Sequence, residues 1–194
     1  VPILHDFKED NIQNIVNHSD AVMLFVDNGI WENLDESSMR KLKGIVSVLD
    51  FSILESKSSG LTKAYENINK LMGNKYPRSF GPSNISYYKD TPEEVAYISY
   101  TSGTTSFSKG VMIPYRSLWS NIKFAQDNMP LQPSDSHVCM LPMAHAFGLL
   151  FSFLFEFTRG CHTYFLTRMP SPKIIFSAYA DIKPNLIITV PLIV

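Results

Sequence analysis

A run of small polar residues at 101–110 has the side chains that bind a polyanion. It holds six Ser or Thr residues, two glycines and one lysine. Hydroxyls, and backbone N–H groups beside glycines, donate hydrogen bonds to phosphate oxygens, while a lysine adds a positive point charge. A solvated linker can have the same composition. This run, however, directly follows the apolar segment 95–100 and precedes Val111-Met112-Ile113, a position that favours a phosphate-binding loop.

One common phosphate-binding motif is excluded by the order of these residues. The P-loop of nucleoside triphosphatases reads G-x-x-x-x-G-K-[ST], with a hydroxyl residue after the lysine. In this chain Lys109 precedes Gly110, and Val111 comes next. The run is therefore not a P-loop.

A second candidate lies at residues 142–147, where Pro142, His145 and Phe147 occur together. A histidine in such company can be a hydrogen-bonded structural residue or a ligand-binding one, and both interpretations stay open. The other histidines lack metal-ligand spacing and are interpreted as structural: His5, His18, His137 and His162. Four further phenylalanines on the same predicted helix are interpreted mainly as core residues: Phe151, Phe153, Phe155 and Phe157.

Strand and helix patterns alternate along the chain and would position both candidates. Continuous apolar runs predict buried strands, that at 21–26 on both faces, and apolar residues at helical spacing predict amphipathic helices. Strands are predicted at 21–26, 45–49, 95–100, 136–141, 163–166 and 186–190. Helices are predicted around 12–16, at 37–43, 61–71 and 116–128, after His145, and around 174–179. This alternation predicts an α/β fold with open, mostly parallel sheets flanked by helices.

The least regular stretch of the chain lies at residues 73–92. It is polar and contains Pro77, Pro82 and Pro92. We interpret it as a linker between a first α/β portion at residues 1–72 and a second portion at 93–194 that carries the polar loop.

Composition narrows the class of protein. The 194 residues are 45% hydrophobic, which is enough for a packed core. Because the formal net charge is −1, no basic field exists for a nucleic-acid partner, and none is expected. The longest apolar run, at 149–155, is too short for a transmembrane segment. Cys139 and Cys161 are too few for a disulfide scaffold or a Cys-ligated zinc site, so we interpret them as small buried residues of a cytoplasmic protein.

Residues 100–111 read Tyr-Thr-Ser-Gly-Thr-Thr-Ser-Phe-Ser-Lys-Gly-Val. This string resembles the phosphate loop of the adenylate-forming superfamily, Y-T-S-G-T-T-G-x-P-K-G-V, found in acyl-CoA synthetases, luciferases and peptide-synthetase adenylation domains. Ser106 stands where that family has glycine, and Ser108 where it has proline. A serine at a positive φ has a steric cost, and a missing proline leaves the unfolded loop more freedom. Weaker phosphate affinity or loop order is therefore expected.

Flanking residues extend the resemblance over nearly the whole chain. Residues 17–26 are similar to the family's early helix-to-strand segment, and 183–191 to its "P-T…VP" strand. Residues 141–149 are similar to its L-P-[LM]-x-H-x-[FY] segment beside the acyl pocket. The apolar tract after His145 is most similar to that of long-chain fatty acyl-CoA ligases. The resemblance thus implies part of the N-terminal domain of such a ligase.

The resemblance also implies a reaction and a set of binding residues. In this family a carboxylate attacks the α-phosphate of Mg-ATP to give an acyl-adenylate, and a thiol such as coenzyme A then displaces AMP. The implied substrate is a fatty carboxylate, with ATP, Mg²⁺ and coenzyme A required by the intact enzyme but not by the fold of this chain. The implied phosphate-binding residues are Thr101, Ser102, Gly103, Thr104, Thr105, Ser106, Lys109 and Gly110, with Thr105 also as the metal ligand. His145 and Phe147 are the implied acyl-pocket residues.

Several family segments have no match in this chain: the adenine-binding strand, the Y-G-x-T-E-like segment, the ribose-binding Asp and the catalytic Lys. We therefore expect a ligase fragment that has no catalytic residue and is inactive by itself, with the downstream parts of the same chain as its partners. An apolar face left open would favour self-association. The alternative is a non-enzymatic acyl- or anion-binding module derived from the same family.

Overall fold

Two compact units make up the part of the chain that the structure describes. The structure is a computed structural model, and it describes residues 1–76, 78–89, 91–101, 109–166 and 168–190. One unit is built mainly from Asp6–Lys89, and the other mainly from Asp90–Thr101 and Gly110–Val194. The linker assigned from the sequence to residues 73–92 stays a prediction.

A three-stranded sheet is the centre of the first unit. Its strands, in spatial order, are β1 (Met23–Val26), β2 (Gly44–Ser47) and β3 (Ile53–Ser56). β1 runs parallel to β2, and β3 runs antiparallel to β2. The helices of this unit are α1 (Glu9–His18), α2 (Asn28–Trp31), α3 (Ser59–Glu66) and α4 (Ile68–Lys75). All four residues of β2 are buried, as an apolar central strand requires.

The first helix confirms the prediction made from its apolar spacing. Ile12, Ile15 and Val16 lie on one face of α1 and are buried. Glu9 lies in the first turn, where its negative charge suits the helix dipole. The helix is therefore stabilised both by its buried stripe and at its N-terminus.

The second unit holds two two-stranded sheets and the longest described helix. Its strands are β4 (Val95–Thr101), β5 (Lys109–Pro114), β6 (Ser136–Cys139) and β7 (His162–Phe165). β4 is hydrogen-bonded to β5, and β6 runs parallel to β7. The helices are α5 (Tyr115–Asn128), α6 (Ala146–Leu149), α7 (Phe155–Arg159) and α8 (Pro172–Ile182). A π-helical turn at Leu150–Leu154 joins α6 to α7, and Gly160 ends α7 in the left-handed conformation, with φ of 73°.

One apolar cluster forms the core of this unit. It consists of Ala125, Leu131, Met140, Leu141, Phe155, Ile175 and Ile188. Three of the helices and the segment after β6 contribute to it, so their packing fixes the position of residues 140–145. No helix in the described ranges has both the length and the apolar character needed to span a membrane.

The helix predicted at residues 37–43 is wrong. Only a 3₁₀ turn forms there, at Glu36–Ser38. The Asp35 carboxylate accepts hydrogen bonds from both the backbone N–H and the hydroxyl of Ser37, at 3.0 and 2.7 Å. Such local bonds from Asp and Ser side chains compete with helical ones, which explains why the turn does not continue.

Two other predictions in the first unit also need correction. β1 is buried on one face only, since the Phe25 side chain is 56% exposed. The helix predicted at 61–71 is interrupted at Asn67, which ends α3 and precedes α4. The sequence interpretation also missed β3.

The strand predicted at residues 186–190 is reduced to one bridge. Leu186 bridges His137 of β6 in parallel. Just before it, the side-chain oxygen of Asn185 accepts a hydrogen bond from the Ser136 N–H at 2.8 Å. A side chain thus replaces a backbone carbonyl at the start of this pairing.

Candidate functional site

The predicted phosphate loop is described at its two ends only. Thr101 ends β4 and Lys109 begins β5, and both are exposed and therefore accessible to a ligand. Five predicted phosphate-binding residues lie outside the described part of the chain: Ser102, Gly103, Thr104, Thr105 and Ser106. Their roles, including that of Thr105 as a metal ligand, stay predictions.

Gly110, the last predicted loop residue, lies close against β4. A Cβ atom at this position would come within 3.0 Å of Tyr100 Cζ and 3.2 Å of Ile98 Cγ2. The Tyr100 ring is buried, so it has little room to give way. Gly110 therefore has a packing reason to be glycine, in addition to any contact with phosphate.

The segment after β6 is fixed to β4 by a hydrogen bond that the sequence interpretation did not predict. Tyr97, in the middle of β4, donates from its hydroxyl to the carbonyl of Ala144 at 2.6 Å. Burial raises the pKa of the Tyr97 hydroxyl, so this donor keeps its proton at neutral pH. The backbone N–H of His145 donates to the Pro142 carbonyl at 3.0 Å, which closes a turn just before the helix.

His145 is the N-cap of α6. Its Nδ1 accepts a hydrogen bond from the backbone N–H of Phe147 at 3.2 Å, and the residue is exposed. Because Nδ1 is the acceptor, the neutral imidazole carries its proton on Nε2. His145 can therefore cap the helix and still donate one hydrogen bond to a ligand, so its structural and functional interpretations are compatible.

Gly148 allows the start of this helix to pack onto the preceding turn. A Cβ atom there would lie 2.3 Å from the Pro142 carbonyl oxygen and 2.9 Å from its carbonyl carbon. No side chain fits in that space. The sequence interpretation gave Gly148 no role, although its place six residues after Pro142 and three after His145 was visible.

Phe147 forms an apolar wall beside His145. The Phe147 ring is 38% exposed and lies 5.0 Å from the Phe151 ring, centroid to centroid, at an interplanar angle of 48°. Phe151 in turn packs against the core cluster. Phe155 is fully buried, but Phe157 is 69% exposed, so its assignment to the core is wrong.

Further along the same helix, a buried acid faces a buried imidazole on β6. His137 on β6 and Glu156 on α7 are both 0% exposed, and His137 Nε2 lies 3.5 Å from Glu156 Oε1. Burial raises the pKa of Glu156 to about 8 and lowers the pKa of His137. The sequence interpretation missed Glu156, although it is the only charged residue in 146–158.

The described ranges offer little support for a metal site or for a nucleophilic cysteine. No group of three His, Cys, Asp or Glu side chains there could hold a metal ion. Cys139 and Cys161 are both unpaired. Burial raises the pKa of the Cys139 thiol to about 11, so it is a poor nucleophile at neutral pH. Cys139 is the small buried residue predicted, whereas Cys161 is half-buried.

Comparison with known proteins gives a consistent family. A family model described as AMP-binding enzyme matches residues 1–194. The chain is 29% identical over 195 residues to probable acyl-activating enzyme 16, chloroplastic, of Arabidopsis thaliana, covering 95% of this chain and 26% of that protein. It is 28% identical over 152 residues to long chain acyl-CoA synthetase 6, peroxisomal, of the same plant, covering 76% of this chain and 21% of that protein. The chain thus spans about a quarter of the length of these relatives.

Solved structures share the fold. ATP-bound MatB from Rhodopseudomonas palustris superposes with a TM-score of 0.70 at 19% identity, covering 100% of this chain and 34% of that one. The N-terminal domain of FACL13 from Mycobacterium tuberculosis gives 0.70 at 16% identity, covering 99% and 43%. A red-emitting luciferase from Phrixothrix hirtus gives 0.74 at 20% identity, covering 97% and 35%. The α/β fold of an adenylate-forming N-terminal domain is therefore confirmed.

Proposed function

The chain belongs to the family of AMP-binding enzymes, and from this membership we propose that it supplies the phosphate loop and part of the acyl pocket of an ATP-dependent acid–thiol ligase. The proposed substrate is a long-chain fatty carboxylate, and the proposed thiol is coenzyme A. The names of the relatives support an acyl-activating ligase, and one of them is named as a long-chain acyl-CoA synthetase.

The observation that carries this proposal is the hydrogen bond between Tyr97 and Ala144, at 2.6 Å. Tyr97 lies on β4, the strand that leads into the predicted phosphate loop. Ala144 directly precedes His145, at the start of the helix that presents Phe147. An acyl-adenylate forms only if a carboxylate oxygen reaches the α-phosphorus in the right orientation, so the phosphate and acyl sites must be neighbours. A direct tether between their supporting segments is what such an active site needs.

In the proposed reaction a carboxylate oxygen attacks the α-phosphorus of ATP, and the bond to the bridging oxygen of pyrophosphate breaks. The thiol then attacks the acyl carbon, and AMP leaves. Thr101, Lys109 and the loop residues between them would hold the β- and γ-phosphates by charge-assisted hydrogen bonds. Mg²⁺, with Thr105 as its proposed ligand, would neutralise charge on the phosphates.

On the acyl side, His145 would bind the carboxyl group and Phe147 would bind the hydrocarbon chain. The proton on His145 Nε2 is available for a hydrogen bond to the carboxyl group of the substrate, because Nδ1 is occupied by the helix cap. The Phe147 and Phe151 rings offer apolar surface for the first methylenes of the chain. As the compartment we propose the cytoplasm, supported by the two unpaired cysteines, although the relatives named above are chloroplastic and peroxisomal.

A chain-length series tests the acyl assignment in the intact ligase. The variants are Phe147→Ala and a matched control, Phe157→Ala, which removes an exposed ring from the same helix. Phe147→Ala removes pocket surface, so the ratio of kcat/KM between two fatty acids should change. The change should correspond to about 1–3 kcal/mol per methylene-sized difference between them. Phe157→Ala should leave that ratio unchanged.

The readout is kcat/KM over fatty acids of increasing length, together with the KM for ATP. A uniform loss at every length in Phe147→Ala, with the same loss in Phe157→Ala, would show that Phe147 only stabilises the helix. The acyl pocket would then have to be sought elsewhere.

A further inference from the structure

The pair formed by His137 and Glu156 takes no part in the proposed reaction. His137 belongs to β6, and Glu156 belongs to the helix that starts at His145 and continues through the π turn. Both side chains are fully buried. His137 Nδ1 lies 3.3 Å from the Leu186 carbonyl oxygen, so the imidazole lies between the carboxyl group and the last described segment.

The buried pair of His137 and Glu156 has two alternative protonation states: an ion pair or a neutral pair. Two charged groups would each have to leave water completely, which costs several kcal/mol per ion unless the geometry is excellent. Charge-assisted N–H···O bonds are about 2.7–2.9 Å long. The 3.5 Å between His137 Nε2 and Glu156 Oε1 is well outside that range. At that distance neither state makes a full hydrogen bond between these two atoms, so the cost of burying two charges favours the neutral pair.

No other described cation takes the place of a charged imidazole. Arg159, the cation on α7, donates from Nε and Nη2 to the Leu131 carbonyl at 3.0 and 2.6 Å. On α5, Lys123 pairs at the surface with Asp127 at 2.6 Å. The thiols within electrostatic reach of Glu156, Cys139 on β6 and Cys161 after α7, carry no positive charge. The Tyr179 hydroxyl on α8 faces Met140 Sδ at 3.4 Å and is also uncharged at neutral pH. Ser152 Oγ, His137 Nε2 and both Glu156 oxygens are buried without a hydrogen-bond partner in the described chain.

We propose that Glu156 and His137 are packed as a neutral pair, a protonated carboxyl group facing a neutral imidazole, and that this pH-sensitive clasp holds the helix of the acyl site on β6. Glu156 keeps its carboxyl proton and lies 3.5 Å from the unprotonated Nε2, and Nδ1–H donates to the Leu186 carbonyl at 3.3 Å. When Glu156 ionises, its proton goes to solvent, and a buried carboxylate is left without a cation. The helix then moves or hydrates at this point.

The clasp matters for function because the helix is continuous from His145 to Glu156. A shift at the Glu156 end changes how the first turn of α6 sits on Pro142, where Gly148 leaves no free space. His145 and Phe147 would shift with it. This last step rests on the proposed function, whereas the protonation state itself does not.

The pKa shifts give the pH window of the clasp. Glu156 is raised from 4.5 to about 8, so between these values the folded chain binds one proton more than the unfolded chain, and stability falls as pH rises. His137 is lowered from 6.5, so just below pH 6.5 the folded chain binds fewer protons there, with the opposite effect. Above pH 6.5 only the Glu156 effect remains. The folding constant should fall by up to about tenfold per pH unit until about pH 8.

Denaturant unfolding of the whole chain between pH 6 and pH 9 tests this prediction. The Glu156→Gln variant keeps the shape of the side chain but cannot ionise, so its folding constant relative to that of the unchanged chain should rise up to about tenfold per pH unit from pH 6.5 to 8. Glu66→Gln, at an exposed position of α3, is the matched control and should follow the unchanged chain throughout. A Glu156→Gln curve parallel to that of the unchanged chain would overturn the proposal.

NMR of the unchanged chain keeps the proposal testable if Glu156→Gln fails to fold. The ¹⁵N shifts of His137 at pH 7 should show a protonated Nδ1 and an unprotonated Nε2, and the Glu156 carboxyl ¹³C signal should titrate near pH 8. The amide signals of His145 and Phe147 should move with the same midpoint. An imidazolium at His137 at pH 7, or signals at the helix start that ignore this titration, would overturn the clasp. None of these measurements requires ligase activity. A failure of the clasp proposal, which in its last step rests on the proposed function, can therefore be distinguished from a failure of the proposed ligase.

Discussion

The His145 side chain caps a helix and can also donate a hydrogen bond to a ligand. Its Nδ1 closes the first turn of α6, while the exposed ring keeps Nε2–H for a ligand. Neither role depends on a charged imidazole. The proposed binding of a carboxylate substrate therefore relies on one neutral hydrogen bond and on the apolar Phe147 surface, rather than on an ion pair.

Lys109 is the proposed phosphate-binding residue that allows the proposed phosphate site to be tested separately from the proposed acyl site. We predict that Lys109→Ala raises the KM for ATP roughly ten- to hundredfold, because a hydrogen bond to a charged group contributes about 1.5–3 kcal/mol. Chain-length preference should not change. Lys173→Ala, which removes an exposed lysine from the first turn of α8, is the control in the same steady-state assay. Equal KM values for ATP in both variants would remove Lys109 from the phosphate site.

Among the helices and strands, the sequence correctly predicted those that have a clear apolar pattern within their own segment. α5 has apolar positions at helical spacing and a buried face, and β4 is apolar except for Ser99 and Thr101, so both lie where the pattern placed them. The failures come from interactions that no local pattern contains. The Asp35 carboxylate binds Ser37 and ends a helical turn, and the Asn185 side chain replaces one backbone acceptor beside β6.

In the candidate site, too, some residues have a sequence signal and some contacts have none. The types and spacing of Pro142, His145 and Phe147 marked the segment as a candidate, and the family resemblance assigned it to the acyl pocket. The hydrogen bond that tethers it, from Tyr97 to Ala144, joins residues 47 positions apart and has no sequence signal. The burial of Glu156 against His137 depends on how the helix packs on β6, although a lone carboxylate in an apolar helix was a visible hint.

Gly148 gives a prediction at the scale of the helix. Gly148→Ala should lower the free energy of unfolding by about 1–3 kcal/mol, the usual cost of overpacking, because the new methyl group meets the Pro142 carbonyl oxygen at 2.3 Å. Gly73→Ala is the matched control, since nothing lies within 4 Å of its added Cβ on α4. That change should raise stability by about 0.5–1 kcal/mol. Denaturant unfolding measures both, and a Gly148→Ala protein as stable as the unchanged chain would contradict the close packing.

For the whole molecule, the exposed apolar side chains of the first unit predict self-association. Phe25 is 56% exposed, Leu49 71% and Phe51 66%. Large exposed apolar patches favour contacts between molecules. The mean mass in sedimentation equilibrium should therefore rise with concentration, and Phe25→Ser with Leu49→Ser should reduce that rise. Met112→Ser, at a 68% exposed position of β5, is the control. A monomer at every concentration would contradict this prediction.

The proposed ligase is tested most directly by carboxylate-dependent exchange of pyrophosphate into ATP, measured on the intact ligase with fatty acids of increasing length. This exchange reports acyl-adenylate formation without the thiol step. Exchange should require a fatty acid, should fall in Lys109→Ala at every chain length because the KM for ATP rises, and should change its chain-length preference in Phe147→Ala. No fatty-acid-dependent exchange, or identical kinetic defects in the two variants, would contradict it and favour the non-enzymatic binding module.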